Sequence, residues 1–326
     1  MNKQAFIDYA RQCGADLVGA VPAAQLAKSL PKGVNIPALG PNHRSLIVFG
    51  KRILKGVSWA RHIVTKQIAG GHYLRILEKI AMKVAYRLED QGYASLPIPS
   101  PALDFEQRTP TDLTPAGQGS LLLRYAAVEA GLGTWGLNMM VLTPQYGPRV
   151  YLCGVLTELA LDAAPKLKEE LCPGLEKCGR CAAICPEDAI PRRAAVGAKL
   201  ADVRGLNCSA CAHSSQPYGF QSFVEQLSYV LGTRDKEEIW KRLRTRQSSE
   251  LWMEMTQMKE ASITGCSDCL QVCPVGEDYA RLAQSPHRKE ELPAELARTY
   301  DGGYVEVAHV GPKVKRSALI PKKEKI

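Results

Sequence analysis

Two short cysteine-rich runs, CGRCAAICP and CSDCLQVCP, contain the residues best suited to chemistry in this chain. The first run occupies 178–186 and the second occupies 266–274, and each ends with a cysteine followed by proline. Cysteine thiolates bind soft metals and iron–sulfur clusters. Clustered cysteines in a reducing compartment more often bind metal than form disulfides. The two runs therefore predict a metal or cluster centre.

The spacing resembles that of a bacterial ferredoxin, in which C-x2-C-x2-C-x3-C-P lends its fourth cysteine to the other of two clusters. With Cys172 included, the first run reads C-x5-C-x2-C-x3-C-P. The second run repeats C-x2-C-x3-C-P without a leading cysteine. Structural zinc sites also use C-x2-C pairs, but the doubled run with its prolines favours two [4Fe–4S] clusters.

Two clusters with four thiolates each need one cysteine more than these runs supply. The stretch NCSAC, between the runs, offers Cys208 or Cys211 as the missing ligand. Crossed ligation then assigns one cluster to Cys172, Cys178, Cys181 and Cys273. It assigns the other cluster to Cys185, Cys266, Cys269 and one of Cys208 and Cys211. Cys13 in a short helix and Cys153 in an apolar strand are predicted to be packing residues.

The composition is that of a globular protein, with 326 residues, 45% hydrophobic and 23% charged. No apolar stretch reaches the length of a membrane span, and the first residues lack a signal sequence, so we expect a cytoplasmic protein without a membrane partner. The formal net charge of +9 permits an acidic partner such as nucleic acid. The basic stretches at 240–246 and 313–326 are otherwise expected to be solvated.

Hydrophobic periodicity predicts the elements that must position the cysteines. Helical spacing predicts helices at 4–13, at 59–88 with a break or kink near Gly70-Gly71, and at 121–131 with Gly131 as C-cap. Apolar, β-branched runs predict strands in DLVGAVP (16–22), RSLIVFG (44–50), MMVLTP (139–144) and RVYLCGVLTEL (149–159).

This pattern predicts an α+β fold in three parts. Residues 1–165 form a domain of mixed helices and strands. Residues 166–280 form a ferredoxin-like module for two [4Fe–4S] clusters, with a helical insertion at about 217–262. Residues 281–326 form a C-terminal extension with a basic tail.

The segment AAVEAGLGTWGLNMMVLTPQYGPRVYLCGVLTEL, residues 126–159, resembles the A-GLG-x-x-G-x-N…LTP-x-YGPR segment of the family that unites reductive dehalogenases and epoxyqueuosine reductase. In that family a doubled ferredoxin module follows, as it does here. The resemblance covers residues 1–280 with gaps, and its specific parts are 126–190 and 262–280.

The resemblance implies that residues 1–165 form a nitroreductase-like domain that binds a corrinoid (cobalamin) beside the nearer cluster. A planar corrinoid needs glycines for close approach and hydrogen bonds for its amide arms. By motif position the corrinoid-binding residues are Gly133, Trp135, Gly136, Asn138, Met139 and Thr143. The alternative for GLGTWG is a glycine-rich turn between a helix and a strand.

Catalysis in such a protein also needs a proton donor near the substrate. The candidates are Asp104 and Arg108 in PALDFEQRTP, with Tyr125, Tyr151 and Arg149 behind them. In epoxyqueuosine reductase an aspartate of this region is the acid, whereas dehalogenases use a tyrosine supported by a basic residue. A salt bridge at the surface is the alternative role for these charged residues.

The sequence therefore predicts an oxidoreductase of the reductive dehalogenase-like group. It would cleave an electrophilic carbon–heteroatom bond in a small molecule, with electrons from ferredoxin or flavodoxin relayed through two [4Fe–4S] clusters. One alternative is an epoxyqueuosine reductase acting on tRNA. Another is an iron–sulfur electron carrier or corrinoid-handling protein that turns over no substrate.

Overall fold

The computed structural model describes residues 3–30, 36, 42–59, 63–100, 121–192, 204–207, 210–211, 215, 220–245, 248, 266–279, 294–298, 304–310 and 313–320. In chain order the elements are α1 Lys3–Gln12, β1 Leu17–Pro22, α2 Ala23–Ser29, β2 Ser45–Arg52, α3 Lys55–Trp59, α4 Ile63–Glu89, β3 Ser95–Ile98, α5 Leu121–Glu129, β4 Thr134–Trp135, β5 Val141–Leu142, β6 Val150–Thr157, α6 Gly174–Lys177, α7 Arg180–Ile184, α8 Phe220–Gly232, α9 Lys236–Leu243, α10 Asp268–Gln271, β7 Ala294–Arg298, β8 Tyr304–Val310 and β9 Lys313–Ile320.

A four-stranded antiparallel sheet, in the order β1-β2-β6-β3, lies at the centre of the first domain. Side chains alternate between the two faces of a strand. Ile47 and Phe49 of β2 pack with α1 and α4 on one face. Leu46 and Val48 pack with α2 and α5 on the other. The sheet is thus covered on both faces. Its strands β1, β2 and β6 confirm the strands predicted at 16–22, 44–50 and 149–159.

Helix α4 continues through the glycine pair at which the sequence predicts a break or kink. It runs without interruption from Ile63 to Glu89, so the predicted break is wrong. Each interior glycine costs a helix about 1 kcal/mol relative to alanine. Both glycines are buried in a helix that packs along β2, β3 and β6, and this burial outweighs their low propensity.

The C-terminal end of α5 confirms the predicted glycine cap. Gly131 has a φ of 74°, and the backbone N–H of Leu132 donates to the carbonyl of Ala127 at 2.9 Å, which is the bond pattern of a Schellman cap. The chain then forms the two-residue strands β4 and β5. The predicted strand over 139–144 is therefore limited to Val141–Leu142.

The cysteines lie on short helices rather than on the sheet. Helices α6 and α7 belong to the first run, and α10 belongs to the second. Helices α8 and α9 lie in the predicted insertion at 217–262. The three antiparallel strands β7, β8 and β9 form part of the C-terminal extension, where the sequence predicted only a basic tail. None of the helices in the described part of the chain is long and apolar enough to cross a membrane.

Cys153 is a core residue, as predicted. Its side chain is fully buried, its Sγ lies 3.2 Å from the carbonyl oxygen of Ile98, and burial raises the pKa of its thiol to about 12. Cys13 packs at the edge of the same core.

Replacing Cys153 by alanine should therefore affect stability and not metal content. We expect the free energy of unfolding to fall by roughly 0.5–3 kcal/mol, as for other buried substitutions. Iron bound per chain should equal that of the unaltered protein. Denaturant unfolding and iron analysis measure the two quantities, and a loss of iron without destabilisation would contradict the packing role.

Candidate cluster-binding site

One cavity brings together cysteines from both runs. Cys172, Cys178 and Cys181 come from the first run, and Cys273 comes from the second. We call these four residues the first cysteine set. The segment at 136–142, with Gly136 and Asn138, forms another wall of the same cavity. The structure therefore places the cysteines of one predicted ligand set around a single space.

The lengthened gap of the first run forms a helical turn. Gly174 and Gly179 have φ values of 83° and 58°, which glycine adopts without steric cost. A Cβ at Gly179 would lie 2.9 Å from the carbonyl oxygen of Leu175, so a larger residue would push this turn apart. These two glycines flank α6 and let the chain fold back between Cys172 and Cys181.

Four further cysteines form a second group, Cys185, Cys211, Cys266 and Cys269, which we call the second cysteine set. Cys266 interacts electrostatically with Cys269 and Cys211, and Cys269 interacts with Cys211 and Cys185. Cys269 also interacts with Cys181 of the first set, so the two sets are neighbours. Cys208, the other candidate in NCSAC, lies outside the described residues.

Two thiols of each set have a raised pKa because of their surroundings. Burial, followed by the neighbouring cysteines, raises the pKa of Cys181 far above its ordinary value. Burial raises the pKa of Cys273 to about 12 although Arg149 opposes the shift. Burial also raises the pKa values of Cys266 and Cys269. Deprotonating such thiols needs a cationic partner, which bound iron provides.

The donor types of the first set fit an iron–sulfur cluster. Its four cysteines line the walls of one cavity. Among the described residues, no three His, Cys, Asp or Glu side chains form a group that could hold a single metal ion. A [4Fe–4S] cluster takes its four thiolates at separate corners, so the donor set and its arrangement fit that group.

A buried arginine at the end of the YGPR motif fixes the second run against the first domain. The Nε and Nη2 atoms of Arg149 donate to the Asp278 carboxylate at 2.7 and 2.6 Å. Its Nη1 donates to the carbonyl oxygens of Leu270 and Cys273, both at 3.0 Å, and Nη2 donates to that of Val275 at 2.7 Å. All five N–H donors of the guanidinium are therefore used.

Two glycines let the backbones meet at this contact. Gly147 has a φ of 53°, and a Cβ there would overlap the carbonyl oxygen of Val275. A Cβ at Gly276, whose φ is 113°, would lie 2.5 Å from the amide nitrogen of Gly147. The backbone N–H groups of Glu277 and Asp278 donate across the contact to carbonyls at 144 and 145, both at 3.0 Å. Larger residues would separate the two loops.

The other end of the second run is held by residues near α3 and α4. The Nζ of the buried Lys66 lies 3.1 Å from the Oγ of Ser267, which in turn donates to the carbonyl oxygen of Ser58 at 3.1 Å. The side-chain amide of Gln271 donates to the same carbonyl. The second run is thus fixed at both ends.

The glycines that the resemblance assigns to a corrinoid are explained by packing within the chain. A Cβ at Gly133 would overlap the carbonyl oxygen of Leu142, and a Cβ at Gly136 would lie 2.6 Å from the Oδ1 of Asn138. Gly136 and Asn138 also line the cavity of the first cysteine set. A corrinoid held by this segment would therefore lie beside that set, but the glycines do not themselves indicate one.

The remaining residues of that segment have contacts of their own. Trp135 packs edge-on against Tyr125, with ring centroids 4.7 Å apart. Met139 has a φ of 59°, and its carbonyl oxygen accepts from Arg124 at 3.2 Å. The buried hydroxyl of Thr143 donates to the carbonyl oxygen of Gly147 at 3.2 Å, which closes the loop before Arg149.

The structure places the two described proton-donor candidates apart. Tyr125 packs with the core on one face of the sheet, and Tyr151 packs with the core on the other face. Tyr151 stacks on Tyr73 at 5.7 Å, and burial, followed by that neighbour, raises its pKa to about 12. Asp104 and Arg108 lie outside the described residues.

Sequence reasoning missed the residues that position the second run. Arg149 was considered for catalysis, but its donors are all taken by Asp278 and three backbone carbonyls. Lys66 lies in no motif, and Ser267 occupies one of the two unspecified positions of the C-x2-C spacing. Gly276 is the residue whose type hints at the contact with Gly147. The hint can be interpreted only when the loop that contains Gly147 is known to lie against it.

The chain is similar in sequence to reductases of two kinds. It is 26% identical over 176 residues to the tetrachloroethene reductive dehalogenase of Desulfitobacterium hafniense, covering 54% of this chain and 27% of that protein. It is 26% identical over 163 residues to the epoxyqueuosine reductase of Bacillus subtilis, covering 49% of this chain and 31% of that protein. No family model matches. The predicted resemblance is confirmed.

The fold is also similar to that of a solved dehalogenase. A catabolic reductive dehalogenase in complex with 3-bromo-4-hydroxybenzoic acid superposes with a TM-score of 0.50 and 18% identity, over 86% of this chain and 33% of that one. The mixed helix-and-sheet architecture is therefore shared. The matched region spans only about a quarter to a third of the length of these relatives.

The interactions of Cys211 with Cys266 and Cys269 predict that it completes the second set. Replacing Cys211 by alanine should lower the iron bound per chain by about half, because a cluster with four cysteine ligands loses one of them. Replacing Cys208 by alanine should leave iron unchanged, and Cys13→Ala serves as a control outside both sets. Iron loss from Cys208→Ala alone would reverse the assignment.

Proposed function

We propose that this homologue of the reductive dehalogenases and epoxyqueuosine reductases is an oxidoreductase that relays electrons through two [4Fe–4S] clusters. The clusters would serve a corrinoid, and the product would be a small molecule from which an electrophilic carbon–heteroatom bond has been cleaved. Residues 1–165 would form the corrinoid-binding domain, and residues 166–280 would form the ferredoxin-like module. Reduced ferredoxin or flavodoxin would be the electron donor in the cytoplasm.

The observation that carries this proposal is the mixing of the two runs. Cys273 of the second run lines a cavity with three cysteines of the first, and Cys185 of the first run interacts with Cys269 of the second. Crossed ligation of this kind is typical of two-cluster ferredoxins. The contact between Cys181 and Cys269 supports clusters close enough to exchange electrons.

The chain's own residues would prepare the site for reduction. The four cysteines of the first set are half-buried. In the second set, burial raises the pKa of the Cys269 thiol, and a hydrogen bond from Asn138 opposes that rise. A corrinoid bound beside the first set would supply a strongly reducing and nucleophilic cobalt. The segment around Trp135, Gly136 and Asn138 would hold it, with Gly133, Met139 and Thr143 shaping that segment.

Proton donation remains assigned to four candidates. Tyr125 is the described candidate that contacts the corrinoid segment, because it packs on Trp135. Tyr151 lies on the opposite face of the sheet, and this placement favours Tyr125 over it. Asp104 and Arg108 belong to the same proposal from the sequence resemblance.

A second candidate function, epoxyqueuosine reduction on tRNA, is favoured by the Bacillus subtilis relative and by helix α9. Trp240 on α9 is 58% exposed, and the guanidinium of Arg244 lies 5.6 Å from its ring centroid. Lys236 and Lys241 are also exposed. Exposed aromatic and basic side chains bind single-stranded RNA by stacking and charge, and such binding weakens steeply with salt.

Electron paramagnetic resonance of the anaerobically reconstituted chain with cobalamin tests the lead proposal. We expect a base-off Co(II) spectrum that disappears when the chain is omitted. Reduced iron–sulfur signals should appear in the same sample. The chain without cobalamin and cobalamin with the Cys273→Ala chain are the matched controls.

A free, base-on Co(II) spectrum together with iron–sulfur signals would overturn the corrinoid part, and the chain would then be an iron–sulfur electron carrier. If the base-off spectrum appears, turnover of organohalides and of epoxyqueuosine-containing tRNA separates the two candidate reactions. Salt-dependent tRNA binding that is lost in Trp240→Ala would favour the tRNA reaction.

A further inference from the structure

We propose that the second cysteine run is held by two separate anchors, and that each anchor positions the ligands of a different cluster. The inference rests on the two-cluster proposal. The anchor at Arg149 would position Cys273 for the first cysteine set. The anchor at Ser267 would position Cys266 and Cys269 for the second cysteine set. Arg149 and Ser267 are positioning residues, since neither belongs to the cysteine sets.

The Arg149 anchor grips the C-terminal end of the run. Its guanidinium bonds the carbonyl oxygen of Cys273 itself and those of Leu270 and Val275. The Asp278 carboxylate takes two donors side by side, a bidentate geometry that lysine cannot reproduce. Because the bonds go to the backbone around Cys273, they fix where its Sγ enters the cavity of the first set.

The Ser267 anchor grips the N-terminal end. Ser267 follows Cys266 directly, and its hydroxyl joins Lys66 to the carbonyl oxygen of Ser58. Gln271, one helical turn after Ser267 and on the same side of α10, donates to the same carbonyl. These bonds fix the helical turn that separates Cys266 and Cys269.

The two anchors share no side chain. The Arg149 anchor is built on the loop before β6, with Gly147 against Val275 and Gly276. The Ser267 anchor is built on α3 and the first turns of α4. The anchors are connected by the segment 266–279 and by backbone pairing, in which Ile53, just before α3, donates to the carbonyl of Arg149. Because the side chains of the two anchors are separate, we expect that loosening one leaves the side-chain contacts of the other in place. Loss of an anchor should therefore release one cluster and not both.

Cysteine footprinting of the reconstituted full chain tests this. Arg149→Lys keeps the positive charge but loses the bidentate guanidinium. Asp278→Asn removes the charged partner of Arg149. Ser267→Ala, with Lys66→Met as the stronger change, disrupts the other anchor. Asp16→Asn is the matched control, because it removes the carboxylate partner of Lys51 in a part-buried ion pair on the central sheet. Each protein is alkylated anaerobically, and labelling of every cysteine is read by mass spectrometry beside iron analysis and circular dichroism.

The unaltered chain and Asp16→Asn should bind about eight iron atoms, as two cubane clusters require, and protect both sets. Arg149→Lys and Asp278→Asn should lose about half of the iron, label Cys172, Cys178, Cys181 and Cys273, and leave the second set protected. Ser267→Ala and Lys66→Met should give the reverse pattern. Paramagnetic resonance of the reduced proteins should show the loss of magnetic coupling between clusters in both classes.

Equal labelling of both sets in an anchor variant that retains the native circular dichroism spectrum would overturn the inference, as would full iron in all four variants. Labelling of both sets already in the unaltered chain would instead refute the two-cluster proposal. If Arg149→Lys does not fold, Asp278→Asn still decides the question, because it weakens the same anchor by removing the carboxylate charge that orients the guanidinium.

Discussion

The position of Cys273 in the candidate site depends on a single buried guanidinium. Arg149 follows the loop that precedes β6, and Asp278 lies 129 residues later in the chain. Their ion pair, together with three backbone carbonyls, joins the sheet domain to the second cysteine run. Leaving a buried charge without its partner costs about 3–5 kcal/mol. Movements of the second run that would separate Arg149 from Asp278 are therefore unfavourable. Everything that Cys273 can contact follows from this attachment.

The attachment of the second run requires the two backbones to approach closely. The glycines of the segment 133–147 are therefore explained by contacts within the chain. Gly147 and Gly276 face each other where any Cβ would collide. Gly133 and Gly136 are likewise required by Leu142 and Asn138. In this chain the glycine-rich segment first brings β4, β5 and the loop before Arg149 against the cysteine cavity. This segment already forms a wall of the cysteine cavity. Corrinoid binding would be a second role for the same segment.

Much of the strand pattern and the grouping of the cysteines could be predicted, because period-two alternation and C-x2-C spacing are local signals. The continuity of α4 through Gly70-Gly71 could not, since it depends on burial against β3 and β6. The role of Arg149 was misjudged for a similar reason: a motif shows that an arginine matters, but its partners lie in a distant segment. The choice of Cys211 also required the fold, because Cys208 is equally well placed in sequence.

Iron-edge anomalous diffraction from crystals of the anaerobically reconstituted chain tests the central claim most directly. The account predicts two anomalous peaks per chain. One should be bound by Cys172, Cys178, Cys181 and Cys273, and the other by Cys185, Cys211, Cys266 and Cys269, with Fe–S bonds of about 2.3 Å, as for other thiolate–metal bonds. A single peak, or peaks whose cysteines all come from one run, would contradict crossed ligation and the electron relay built on it.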